Sequence, residues 1–170
     1  MKKEEILDLL FKIKLKENII RHVLAVENLA LKTAELIKLN NPEIEIDFEL
    51  LSRGALLHDI GRSVTHGIEH AVEGVKIAKK YCKDERVLKI IENHIGAGIT
   101  KDEAKKLGLP LKDYIPITIE EKIVANSDNL LAGDKKSGIL RLYDRLIQSN
   151  NKEAALRVLK LYDEIMMMII

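Results

Sequence analysis

The chain has 170 residues, of which 46% are hydrophobic and 32% charged, the composition of a folded protein with a core of its own and not of a disordered segment. Twenty-eight Lys and Arg stand against 27 Asp and Glu, a formal net charge of +1, which gives no support to bulk binding of nucleic acid or of an anionic membrane, though a local basic patch is compatible with it. The longest wholly apolar run, Ile165 to Ile170, is far below the ~20 residues of a membrane span. The charged start Met1-Lys2-Lys3-Glu4-Glu5 is unlike a signal-peptide core. The single cysteine, Cys82, precludes an intrachain disulfide, reads as a packing residue and fits a reducing cytoplasm.

Apolar residues recur at three- and four-residue steps, and no period-two strand stands out. A first helix is predicted from Lys3 to about Lys16, and a long second one from about Asn18 to Leu39, with Ile19, Val23, Val26, Ala30, Ala34 and Ile37 on one face. Asn40-Asn41-Pro42 ends it. Ile44-Glu45-Ile46 alternates too briefly to decide, and Asp47 then reads as the N-cap of a helix ending near His58. Helices follow over 68–81 and 84–94. Thr100-Lys101-Asp102-Glu103 is a capping box whose short helix stops at Gly108 and Pro110. Thr118-Ile119-Glu120-Glu121 reads as a second box, opening a helix to about Ala132. Two last helices are placed near 137–147 and 152–169. The expectation is one all-α domain over the whole chain, with a core region near 21–131 and the C-terminal helices beyond it.

There are five histidines. His22, His58, His70 and His94 each fall on an inferred apolar helix face, as does Asp128, and Asp59 adjoins His58. Any one of these has an ordinary reading as a hydrogen-bonded core residue or a helix-end capping group. Together they put six ionisable groups toward one interior, which is costly without compensation. A divalent transition metal removes that cost, because neutral imidazole and carboxylate are ligands it accepts.

These residues carry a resemblance. Leu56-Leu57-His58-Asp59-Ile60-Gly61-Arg62 resembles the signature of the HD-domain metal-dependent phosphohydrolases, in their HDIG subtype. His22, 36 positions before His58, matches the family's first ligand, and Asp128, in Val124-Ala125-Asn126-Ser127-Asp128, its last. His70-Ala71-Val72-Glu73-Gly74 and His94 resemble the additional segments of binuclear members. The resemblance implies an all-α HD bundle with metal in its core, one ion held by His22, His58, Asp59 and Asp128 and a second by Asp59, His70 and His94. Gly96-Ala97-Gly98 stands where cyclic-dinucleotide phosphodiesterases carry Gly-Tyr-Pro, and its lack of Tyr and Pro argues against that substrate.

The implied chemistry is hydrolysis of a phosphate ester or anhydride by metal-activated water. The His-rich set favours Mn, Fe, Co, Ni or Zn over Mg. Asp59, Arg62 and His66 are the candidate catalytic residues: Arg62 as a phosphate clamp, and loop His66 as a proton donor or substrate contact. Lys122 reads as an exposed helix lysine. The expected substrate is a nucleotide or another small phosphorylated metabolite, with 98–118 forming a lysine-bearing lid over the site. Two other readings stand beside it, a catalytically silent metal-dependent sensor or scaffold and a phosphoesterase of RNA ends. The all-round apolar stretch Met166–Ile170 points either into the core or to a partner subunit in a homodimer.

Overall fold

The computed structural model describes residues 1–148 and 150–170. Among them are nine α-helices: α1 (Lys3–Lys12), α2 (Glu17–Asn40), α3 (Phe48–Leu57), α4 (His70–Ala78), α5 (Glu85–Asn93), α6 (Lys101–Lys106), α7 (Ile119–Asn129), α8 (Ile139–Gln148) and α9 (Lys152–Ile169). A 3₁₀ turn over Ile60–Ser63 joins α3 to α4, and a two-stranded antiparallel hairpin, β1 (Leu131–Ala132) with β2 (Lys135–Lys136), joins α7 to α8. The all-α expectation holds. No described helix is long and apolar enough to cross a membrane.

The helix boundaries follow local chemistry. Asp47 caps α3 through the Leu50 amide, and Thr100 with Glu103 forms the reciprocal capping box of α6. Thr118 accepts from the Glu121 amide as expected, but the second box is incomplete. The Glu121 carboxylate instead accepts from the Ile117 amide and from Asn93 Nδ2, tying α7 to α5.

Helix α1 stops at Lys12, short of the expected Lys16. Lys14 has a φ of 58°, its amide bonds the Phe11 carbonyl and the Leu15 amide bonds the Leu10 carbonyl. This is the Schellman reversal, with lysine in the position glycine usually fills. Likewise α7 ends at Asn129 and not at Ala132. Gly133, at φ 63°, opens a two-residue turn with Asp134, and the chain folds back as the short hairpin.

Helix α2 is the central element, packed against α3, α7 and α9, while α3 also meets α5 and α7. Val23, Val26, Ala30, Ala34 and Ile37 of α2 are fully buried, in a core that takes residues from every helix except α6, whose Ala104 packs instead with Ile99, Leu109 and Tyr114 in a smaller second cluster. The buried Glu27 carboxylate accepts from Lys3 of α1 and Ser52 of α3, fastening three helices together. Cys82 packs into the same core. At the far end Ile165 is buried, Met168 and Ile169 lie against the core, and Asn40, the last residue of α2, and Asn41, its C-cap, bond the carbonyls of Ile169 and Met168. Much of the apolar C-terminal stretch is thus seated on the chain itself, leaving Met167 and Ile170 exposed.

Candidate metal centre

Four of the five histidines meet at one point, each brought there by a different element. His58 and His94 are the residues that end α3 and α5. The last carbonyls of a helix lack intrahelical donors, and these rings supply them: His58 Nδ1 donates to the Ala55 carbonyl at 2.7 Å, and His94 Nδ1 to the Ile91 carbonyl at 2.8 Å. His70, the first residue of α4, donates from Nδ1 to Gly67 at 2.7 Å. His22, on α2, donates from Nδ1 to Gly133 in the hairpin turn at 2.6 Å.

A carbonyl only accepts, so every Nδ1 in the set carries the proton. In the neutral ring each Nε2 then presents a lone pair, and all four point inward. His70 Nε2 lies 3.1 Å from His94 Nε2, a separation at which two bare lone pairs repel unless a proton or cation lies between them.

The two aspartates complete the group. Asp128 Oδ1, near the end of α7, is 2.9 Å from His22 Nε2 and 3.8 Å from His58 Nε2. Asp59 faces both halves. Its Oδ2 is 3.8 Å from His22 Nε2 and 3.8 Å from His58 Nε2, while its Oδ1 is 3.2 Å from His70 Nε2 and 3.6 Å from His94 Nε2. His58 Nε2 and Asp59 Oδ1 are buried without a hydrogen-bond partner, which is costly for polar atoms that nothing coordinates.

The electrostatics agree with the geometry. Burial holds His58 neutral, pushing its pKa down to about 4 against the pull of Asp59. Burial acts in the same sense on His22, but there the Asp128 carboxylate, the Gly133 carbonyl and Asp59 outweigh it, and the pKa rises to about 9. Burial opposes ionisation of Asp59 as well, yet the surrounding His58, His70 and His94 hold it well below the usual carboxylate range. Asp128 is likewise lowered, with His22 and His58 overcoming its burial. Two overlapping sets of ligand atoms, His22–His58–Asp128 and His58–Asp59–His94, each lie within 4.8 Å and could hold a metal ion. Imidazoles oriented with Nε2 inward, together with carboxylates, are a donor set that fits a divalent transition ion, which would take the place of the proton on His22.

The other expected site residues lie on the rim. Arg62 Nε donates to Asp59 Oδ2 at 2.6 Å, so this arginine first of all fixes the shared carboxylate. His66 is exposed, and its Nε2 accepts from Lys16 at 3.1 Å. Lys122 pairs with Glu164. Both Arg62 and His66 line a cleft of about 1340 Å³ that has the cluster in its wall.

The segment expected to lie over the site borders the cleft, with Gly98, Ile99, Glu103, Lys106 and Leu107 in its lining. Ile99 bridges to Tyr114, and Arg157 of α9 bonds the Gly98 carbonyl and Glu103. Of the lysines expected there only Lys106 lines the cleft, and Lys112 is paired with Glu92. The orienting role of the Gly133 carbonyl was not anticipated. The Gly-Asp pair is a turn signal in the sequence, but nothing local to it indicates the partner 111 positions away. The part that α8 and α9 play in the cleft has no sequence signal.

Comparison with known proteins gives this geometry a context. No solved structure matches the chain. It is 49% identical to an uncharacterized protein of Methanocaldococcus jannaschii over 152 residues, covering 88% of each. It is 48% identical over 147 residues to a tRNA (cytidine(56)-2'-O)-methyltransferase of Picrophilus torridus, covering 86% of this chain and 41% of that one. A Ribonuclease Y of Acidothermus cellulolyticus is 38% identical over 80 residues, 46% of this chain and 15% of that one. The chain thus spans less than half of the methyltransferase. The family model described as "HD domain" matches residues 19–133. That stretch runs from the turn of α2 before His22 to the hairpin carbonyl that orients it, and the chain belongs to the HD domain family, whose members are in general metal-dependent hydrolases.

Proposed function

We propose that the chain hydrolyses a phosphate ester of a nucleotide or RNA by metal-activated water, with one divalent transition ion held by His22, His58, Asp59 and Asp128 and a second by Asp59, His70 and His94. The observation that carries this reading is the set of four Nε2 atoms, each bared by an Nδ1–carbonyl bond, converging on two carboxylates beside a wide cleft. Ions bound there would supply Lewis acidity toward phosphate oxygens and make a nucleophile of water near neutral pH.

The chain's own groups have distinct parts. Asp59, with an oxygen toward each half of the cluster, joins the two sets and keeps its ionised form. Arg62 anchors Asp59 through Nε and lines the cleft, so its two remaining guanidinium nitrogens are available as a donor fork for a substrate phosphate. His66 contributes contact at the rim. With Nε2 accepting from Lys16, it does not deliver a proton from that nitrogen. The near-neutral composition weighs against an RNA end and leaves a nucleotide or other small phosphorylated metabolite first. The relatives named for tRNA modification and for ribonuclease activity shift the preference to an RNA phosphate.

The test is to load the purified chain with Mn²⁺ and offer an aryl phosphate, mononucleotides, cyclic dinucleotides and oligoribonucleotides. Phosphate-ester cleavage that stops with chelator is the expected result. Stoichiometric metal with no turnover of any of these would favour the sensor or scaffold reading instead.

A further inference from the structure

The family match ends at residue 133, but the cleft does not. Its remaining wall is built by α8 and the first half of α9, and at about 1340 Å³ it exceeds the roughly 300–1,000 Å³ of ordinary small-molecule sites. Arg141 and Arg145 stand on α8 four residues apart, so one helical turn, about 6 Å, separates them along one face. Both line the cleft and both are exposed. Neither has an ion pair or hydrogen bond with any described residue.

Arg157 of α9 lines the same cleft, but its guanidinium is engaged by Glu103 and the Gly98 carbonyl. Lys106, at the end of α6, also lines it without a partner among the described residues. Asp144 and Glu153 are the acidic residues of this wall. Against Lys106, Arg141 and Arg145 they leave an excess of one positive charge on this wall.

A planar guanidinium left free in a cleft is a donor fork suited to phosphate. A mononucleotide phosphate would be satisfied at the histidine cluster and Arg62. Two further forks beyond the cluster are placed to meet further phosphates of a longer substrate, and the separation of one helical turn is comparable to that of successive phosphates along a nucleic-acid strand. We propose that Arg141 and Arg145 form a track for the backbone phosphates of single-stranded RNA, which flank the phosphate presented to the cluster. This rests on the hydrolase reading for where the reacting phosphate sits, and adds the length of the substrate and the residues that hold it. The binding would be electrostatic and indifferent to base sequence, since the contacts are to phosphate alone.

The experiment is fluorescence anisotropy with the full chain in chelator, using a labelled oligoribonucleotide of about a dozen nucleotides and a labelled mononucleotide. Wild type is compared with R141A/R145A and R141E/R145E. Both side chains are exposed, so neither variant disturbs the core, and melting curves check this. Wild type should bind the oligomer more tightly than the mononucleotide. The alanine pair should weaken oligomer binding about tenfold and flatten its log–log salt dependence by about 1.4, from two lost phosphate contacts. The glutamate pair should weaken it further. Equal binding of oligomer by all three proteins, or an unchanged salt slope, overturns the track. The same proteins loaded with Mn²⁺ separate the two claims. Arginine-dependent binding without cleavage removes the hydrolase reading and leaves the track, whereas cleavage with arginine-independent binding does the reverse.

Discussion

At the scale of single residues, the histidine–aspartate cluster has two measurable consequences. The first concerns Asp59, whose two oxygens serve both halves of the cluster. Asp59→Ala should reduce bound Mn²⁺, measured by elemental analysis, and lower kcat/KM for phosphate-ester cleavage by at least about a hundredfold, the scale on which a lost electrostatic group acts in an active site. The second is a pH profile of the metal-free chain. His58, depressed to about 4, stabilises the fold fully above its unfolded pKa of about 6.5, and that contribution is lost as pH falls through 4. A shift of this size corresponds to about 3 kcal/mol. His22, raised to about 9, does the opposite: its contribution is present below about 6.5 and lost as pH rises through 9. Lowered Asp59 and Asp128 add stability that is lost only below the usual carboxylate range. Melting temperatures in chelator should therefore peak near pH 6.5. Saturating Mn²⁺ should flatten the alkaline side, because an ion takes the place of the His22 proton. A profile that only rises or only falls between pH 4 and 9 would contradict these assignments.

At the scale of elements, the approach of the 3₁₀ turn to α4 sets the spacing of Asp59 and His70. A Cβ at Gly61 would lie 1.8 Å from the His70 carbonyl oxygen and 2.6 Å from the Gly74 amide nitrogen. Both are backbone atoms, which cannot swing aside. Gly61→Ala should cost about 2–3 kcal/mol or more, a fall in melting temperature of roughly 5–10 °C. It should also weaken metal binding, since His70 moves with α4. A variant that melts and binds metal like wild type would show that the turn has slack. Elements also show where sequence was legible. The caps at Asp47 and Thr100 use side chains suited to capping, and they were readable. The reversal at Lys14 was not, because its left-handed conformation falls on lysine and is held by bonds back to Leu10 and Phe11, not by a residue preference. The box at Thr118 was half readable, since Glu121 takes a distant partner, Asn93, in place of the local one.

At the scale of the molecule, one core takes residues from every long helix. We propose that the chain is one folding unit. Calorimetry should show a single transition that moves upward with added Mn²⁺, by ~2.7 kcal/mol at a hundredfold excess over Kd. Two separable transitions would divide it. The C-terminal stretch gives a further prediction. Met168 and Ile169 pack on the core and their carbonyls are held by Asn41 and Asn40. Deleting Met166–Ile170 should therefore lower the melting temperature, with no change in the mass measured by light scattering. A mass that halves on deletion would make this end the contact between two copies.

The sequence by itself determined the helical class, most helix starts and the six candidate ligands, because these are recorded locally: in three- and four-residue apolar steps, in capping side chains and in the order of His22, His58-Asp59, His70, His94 and Asp128. Tertiary structure decided what those residues can do. The carbonyls that bare each Nε2 follow partly from helix ends, but that of Gly133 reaches His22 only when the hairpin after α7 folds back onto α2. The segment over 98–118 is tied to α9 because Arg157 reaches Glu103 across 54 positions. Arg141 and Arg145 entered the cleft because α8 packs on α9, which packs on α7 and α2. A one-dimensional pattern carries no direct record of such long-range pairings. They are chosen by how helix faces of matching shape and polarity bury against one another, and it is that packing that turns a set of inward-facing ionisable residues into a centre with a cleft.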